Sequence, residues 1–413
     1  MHLNNIHNVI KKVPVDLSHL TRGEQRIAEH INQEVGDGKP LLLSKNALNL
    51  INNYTVLNNS QRNSYDSSYF GALGRRLIEV FIRKHLISEF SNKNVFFLNL
   101  YDKALRSHNS RTLQNSFNFS NLVKPKSNTI FEKESLANRF YCMFSMIYAT
   151  LSVDNVEKIL MPLIKKGIKS DSIDFLLNLL HGFYKDKLGK QFVINVIPET
   201  DGRSTAICKV GEEIVDKVKD KDFQTSRKLL LKKILAEQNI YCKNKYNTLT
   251  KNVFSIEEVS PLVNQLLKDI GFLNEQTKGL VKHQRANDII FRAFHPCLKV
   301  DNSIDFQKLE FYGDAVSNML IERFLLEKNL PINEKVKYYA NLKSNAMFGE
   351  FFDKLDLQTY LYYPNMDANP KIKADTFEAL MGALHLTYSE RAVYQFFKPI
   401  LEDAYQKIRA NKI

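Results

Sequence analysis

Glu310 and Asp314 stand four residues apart in the string Leu309–Val316, LEFYGDAV, and Asp375 and Glu378 three apart in Lys373–Leu384, KADTFEALMGAL. On helices both spacings put the two carboxylates of a pair on one face. Phe311 and Ala315 flank the first pair, and Phe377, Leu380, Met381 and Leu384 form an apolar stripe beside the second. Acids this close repel each other unless a cation lies between them. A hard divalent ion suits the donors, because Mg²⁺ takes oxygen ligands and keeps several waters beside one or two carboxylates; Mn²⁺ can use the same set. Ala379, Gly382 and Ala383 are small enough to admit a second helix closely. Two such helices could build one centre from Glu310, Asp314, Asp375 and Glu378, able to activate water and stabilise the leaving oxygen in phosphodiester hydrolysis.

Acid pairs at these spacings usually line a solvated helix face, and neither pair alone specifies a metal site. The full strings carry more, since a specified five-residue run arises by chance about 10⁻⁴ times in a chain of this length. LEFYGDAV followed about 60 residues later by ADTFEALMGALHL resembles the signature and second catalytic helix of the ribonuclease III family. Asp288–Pro296 (DIIFRAFHP) and Leu342–Leu361 (LKSNAMFGEFFDKLDLQTYL) are similar to its neighbouring helices. The resemblance covers about 255 to 400. It implies a Mg²⁺-dependent endoribonuclease acting on double-stranded RNA, with all four acids as metal ligands and 5′-phosphate and 3′-hydroxyl product ends. Tyr312 departs from the family's usual aliphatic residue and is assigned to packing, as is His295 beside Pro296.

The elements that must position these acids are mostly helical. Punctuation is sparse, with 11 Pro and 15 Gly, and apolar residues recur at helical spacing in Leu73, Leu77, Val80, Phe81 and Ile82 and again in Phe311, Ala315, Met319, Ile321 and Leu325. Gln191–Glu199 and Ser204–Val210 are β-branched runs separated by Asp201-Gly202, a β-hairpin signal. A helix-like run precedes them over 173–184 and a Lys-rich one follows over 226–237. The predicted fold is mainly α: a helical domain over 1–168, an α+β module over 169–240, a polar linker over 241–255 and a second helical domain over 256–413.

The first domain repeats the layout of the second without its acids. Aligned on the glycine before Asp314, Tyr69–Ile78 (YFGALGRRLI) puts Gly71 at the place of Glu310 and Arg75 at that of Asp314. Ser135–Met143 puts Asn138 and Tyr141 at the other two. A guanidinium there would repel a metal ion, so this copy is expected to be inactive. Ribonuclease III domains work as dimers, and two in one chain could pair internally at high effective concentration; a homodimer through the C-terminal domains is the other arrangement. The module resembles a divergent double-stranded RNA-binding domain, with Lys217, Lys219, Lys221, Arg227, Lys228, Lys232 and Lys233 placed to meet phosphates. An acid-free ribonuclease III fold followed by such a module also resembles a family of mitochondrial large-subunit ribosomal proteins. That keeps open a structural role in a mitochondrial ribosome, or a non-cleaving role in an RNA-processing complex.

Composition agrees with a nucleic acid partner. The 413 residues hold 58 Lys and Arg against 45 Asp and Glu, a net charge of +13. No apolar run is long enough to span a membrane. Cys142, Cys208, Cys242 and Cys297 form no CxxC pair, which argues against a zinc ribbon or disulfide scaffold and for a reducing compartment. Met1–Val15 lacks the apolar core of a secretory signal; mitochondrial, nuclear and cytoplasmic locations stay open.

Overall fold

The computed structural model describes residues 22, 25–29, 67–116, 130–150, 153–169, 172–238, 256–273, 286–296, 303–328, 330–362 and 369–410. Met1–Val15, the linker over 241–255, Cys242 and Cys297 lie outside them.

Among the described residues the N-terminal half contains α1 (Ser67–Glu89), α2 (Val95–Ser116), α3 (Ile130–Thr150) and α4 (Val153–Ile168). The apolar period of α1 buries Leu73, Leu77, Val80, Phe81 and Ile82 against its neighbours, chiefly α3. Next come α5 (Ile173–Leu188), strands β1 (Phe192–Pro198), β2 (Ser204–Val210) and β3 (Glu213–Asp220), and α6 (Phe223–Glu237). The sheet is antiparallel in the order β1-β2-β3, with Phe192 opposite Val210 and Ser204 opposite Asp220. Gly202, at φ 78°, supplies the left-handed residue of the first turn, where Asp201-Gly202 predicted one. The sequence signalled two strands clearly, and the third completes the module. Ala206 and Cys208 are buried beneath α6, while α5 packs on α2 and so ties the module to the N-terminal half.

The C-terminal half contains α7 (Ile256–Asp269), α8 (Ala286–Arg292), α9 (Phe306–Glu327), α10 (Ile332–Leu342), α11 (Asn345–Lys354), α12 (Pro370–Thr387) and α13 (Glu390–Ala410). Its central pair is α9 against α12. Each starts at a defined cap. Asp305 accepts the Lys308 backbone N–H at 3.0 Å, and Asn369 accepts that of Ile372 at 2.9 Å ahead of Pro370 in the first turn. Tyr312 is fully buried and its hydroxyl shares a 2.7 Å hydrogen bond with His385 Nδ1, the packing role expected of it. His295 lies in an aromatic stack, 3.9 Å from the Phe291 ring centroid and 5.3 Å from that of Tyr362.

The two halves meet along α1 and α9. Polar contacts cross this boundary: Arg83 reaches Asp314 and the Phe311 carbonyl, and Tyr148 and Arg323 both bond Glu390. Among the described residues Cys142 and Cys208 are buried free thiols, and no helix is long and apolar enough to cross a membrane.

Candidate metal centre

The acid-bearing turns of α9 and α12 come together because their backbones touch. A Cβ on Gly313 would lie 1.7 Å from the Glu378 carbonyl oxygen, and one on Gly382 would lie 2.4 Å from that of Leu309. No side chain fits at either point, so glycine at both sets the approach. Glu310, Asp375 and Glu378 then each offer a carboxylate oxygen within 4.8 Å of the other two.

Their protonation reflects the crowding. Burial, reinforced by Asp375, raises the Glu310 carboxyl to about 7. Burial and then the Asp314, Glu310 and Asp375 charges push Glu378 up to about 9. Lys371, one turn before Asp375, bonds that carboxylate at 2.5 Å from an exposed position. The donor set therefore fits a hard cation: all oxygen, mutually repelling and short of positive charge.

This crowding has a consequence for stability. Glu310 and Glu378 hold protons in the folded protein to pH values at which unfolded carboxylates have lost theirs. The folded state thus binds more protons from about pH 4.5 upward, and stability falls as pH rises through about 7 and then about 9. The metal-free protein is expected to lose melting temperature steadily between pH 6 and 9. A flat profile across that range would show that these acids do not feel one another.

Asp314 stands apart from the trio. Arg83 Nη1 donates to its Oδ2 at 2.6 Å and Asn318 Nδ2 to its Oδ1 at 2.8 Å. The structure therefore brings three of the four predicted acids together and holds the fourth against a guanidinium from the other half. Arg83, Asn318 and Lys371 were not singled out from sequence. The latter two lie one helical turn from an acid and could have been found by spacing, whereas Arg83 is 231 residues from its partner.

The family model described as the ribonuclease III domain matches residues 307–389, the segment that carries all four acids. Residues 307–389 are thus similar to a ribonuclease III domain. Ribonuclease 3 of Nitratiruptor sp. is 31% identical over 118 residues, covering 27% of this chain and 52% of its own. Ribonuclease 3 of Staphylococcus haemolyticus is 25% identical over 158 residues, covering 36% and 64%. The chain thus spans about half the length of the curated relatives it matches. Dicer from Giardia intestinalis aligns with 97% of this chain and 62% of its own at 13% identity and a TM-score of 0.42.

The N-terminal pair α1/α3 makes the same contact as the pair α9/α12. A Cβ on Gly74 would lie 1.8 Å from the Tyr141 carbonyl oxygen, as one on Gly313 would from that of Glu378. Superimposing these contacts matches Gly74 with Gly313 and Tyr141 with Glu378. Arg75 then falls at Asp314, Asn138 at Asp375 and Gly71 at Glu310, the correspondence expected from sequence. Ser145 takes the place of Gly382, and its hydroxyl donates at 2.5 Å to the Phe70 carbonyl, the counterpart of Leu309. Arg75 is exposed.

The seven basic residues of the module do not share one surface. Lys217 and Lys219 alternate along β3 with Val218, which packs inward, so they point to the sheet face opposite α6. Arg227, Lys228, Lys232 and Lys233 lie on α6, and Lys221 in the turn before it. Lys219 is paired with Asp201 at 3.0 Å and Lys233 with Asp216 at 2.8 Å.

Proposed function

We propose that the protein is an endoribonuclease of duplex RNA that depends on Mg²⁺, or Mn²⁺ in its place, and carries one active centre and one inactive copy per chain. The observation that carries this is the carboxylate trio, held within 4.8 Å by backbone contact at Gly313 and Gly382. A divalent ion held there by Glu310, Asp375 and Glu378 supplies Lewis-acid stabilisation of the phosphodiester and activation of water. The chain's own residues do the rest. Gly313 and Gly382 fix the spacing of the acids, Lys371 offers an exposed counter-charge that can swing aside, and Asp314 adds a fourth carboxylate at the rim.

The N-terminal pair serves as the partner that the ribonuclease III domain would otherwise find in a second chain. Arg75, Asn138, Tyr141 and Gly71 offer no acid to a cation, and contact across α1 and α9 supports internal pairing over a homodimer. One centre per paired unit cuts one strand. Arg227, Lys228 and Lys232 on α6, with Lys221, form the basic side of the module suited to phosphates of A-form RNA.

The test is incubation of the purified chain with a long duplex labelled separately on each strand, with Mg²⁺, beside Asp375→Asn. Expected are Mg²⁺-dependent nicks, one strand per encounter, from a monomer by size-exclusion mass, and none from the variant. Absence of cleavage by the unaltered protein sinks the nuclease reading, and co-sedimentation with mitochondrial ribosomes would then favour the structural one. Paired cuts from a dimer would move the active pairing between chains.

A further inference from the structure

Arg83 lies in the half of the molecule that lacks the four site carboxylates, yet ends beside one of them. The residue is 7% exposed, and all three guanidinium nitrogens donate hydrogen bonds. Nε donates to Asp102 at 3.1 Å, Nη2 to Glu79 at 2.7 Å, and Nη1 both to the Phe311 carbonyl and to Asp314 at 2.6 Å. The cation also lies over the Phe311 ring at 4.5 Å from its centroid. Two acids of its own half thus aim a fixed fork at the first turns of α9.

The charges explain why it crosses. In the N-terminal half Arg76, Arg83 and Arg106 surround two carboxylates, Glu79 and Asp102, leaving one buried positive charge in excess. In the C-terminal half Glu310, Asp375 and Glu378 cluster with the Asp314 charge at their edge, and Lys371 is the cation that bonds Asp375 from their own half. The Arg83–Asp314 pair removes one excess from each side, and the buried Arg83 charge would be costly if left unpaired, whereas Asp314 is partly exposed.

We infer that Arg83 is a positioning residue that sets the charge of the metal centre: by neutralising Asp314 it makes the centre a three-carboxylate site and makes that charge depend on pairing of the two halves. This rests on the metal-centre reading above. The consequence is a specific sign. Loss of the guanidinium returns a full negative charge to the site's edge, and a unit charge acting on a divalent ion across a few ångström changes affinity about tenfold. Removing Arg83 should therefore tighten metal binding, whereas damage to the site would weaken it.

The experiment is Mn²⁺ titration of the full chain by calorimetry, with free Mn²⁺ checked by electron paramagnetic resonance. Arg83→Met, which leaves Arg76 and Arg106 balanced against Glu79 and Asp102, should bind Mn²⁺ about tenfold more tightly than the unaltered protein. Asp314→Asn, with Arg83 left uncompensated, should bind about tenfold more weakly. The double variant Arg83→Met/Asp314→Asn removes both charges, tolerates folding best and should return to the unaltered affinity. Unchanged or weaker binding by Arg83→Met overturns the inference, as does a double variant as weak as Asp314→Asn alone, since Asp314 would then be a ligand in its own right. No Mn²⁺ binding by the unaltered chain overturns the metal centre and this inference together. Normal binding with insensitive variants overturns this inference only.

Discussion

Glu378→Gln is expected to abolish duplex RNA cleavage while making the metal-free protein harder to melt. The two effects share a cause. Glu378 is the acid most strongly held in its neutral form, by burial and by three neighbouring carboxylates, up to about 9. A glutamine keeps the shape and removes the charge that the metal-free site cannot accommodate, so the slope of stability against pH should flatten. At pH 8 the gain should be about 2 kcal/mol, well below the full linkage value because the amide still buries a polar group. The same change removes a donor that a cation needs, and cleavage should fall on the order of 10³-fold, beyond the 10- to 100-fold typical of groups that merely support a metal ligand. Melting curves without metal and strand cleavage with Mg²⁺ read both. A variant that is less stable and still active would place the cation elsewhere.

Gly313→Ala should be the most damaging single methyl in the molecule, with Gly74→Ala close behind. The added carbon would meet a backbone carbonyl oxygen at 1.7 Å in one case and 1.8 Å in the other, and neither oxygen can move without its helix. Parting the two helices costs packing along their length, so a loss of about 3 kcal/mol or more is expected, at the upper end for overpacked cores. Gly74→Ala should also lower cleavage although it lies in the half without the four site carboxylates, because α1 carries Arg83. Gly349→Ala is the control: its Cβ would be 3.9 Å from the nearest contact given, Pro370 O, and a helical alanine is favoured over glycine by about 0.5–1 kcal/mol. Denaturant unfolding of the three variants ranks them; equal stabilities would contradict the close approach.

The acids themselves were legible because helical spacing puts each pair on one face and the flanking apolar residues say which way that face turns. The paired layout of the halves was legible too, since Gly74 and Gly313 occupy the same place in two strings that otherwise share little. Charge crossing between the halves was not. Arg83 sits in RLIEVFIRKHL as one of several basic residues, and nothing local marks it as buried or aimed at Asp314. Its orientation depends on Glu79, one turn away, and on Asp102, on another helix. The third strand was only weakly signalled for a different reason. EIVDKVKD alternates Val218 inward with lysines outward, but at an edge exposed on one face the charged residues outnumber the apolar ones. The scatter of the seven basic residues over two sheet faces follows from the same strand, since period-two alternation separates Lys217 and Lys219 from α6.

The serine at the N-terminal crossing gives the two helix pairs different tolerances to change. Where α9 and α12 meet, Gly382 leaves bare backbone against backbone, and the acids around it must be kept for chemistry. Where α1 and α3 meet, the Ser145 hydroxyl bonds the Phe70 carbonyl, so the crossing is fastened by a side chain and holds no carboxylate at positions 71, 75, 138 and 141. Of these, Arg75 is exposed and can vary without loosening the crossing, whereas Gly71 and Tyr141 are buried in it, a Cβ on Gly71 lying 3.2 Å from the Asn138 carbonyl oxygen. The exposed face at Arg75 is thereby the place on this helix pair where new surface chemistry can accumulate at least cost to the crossing.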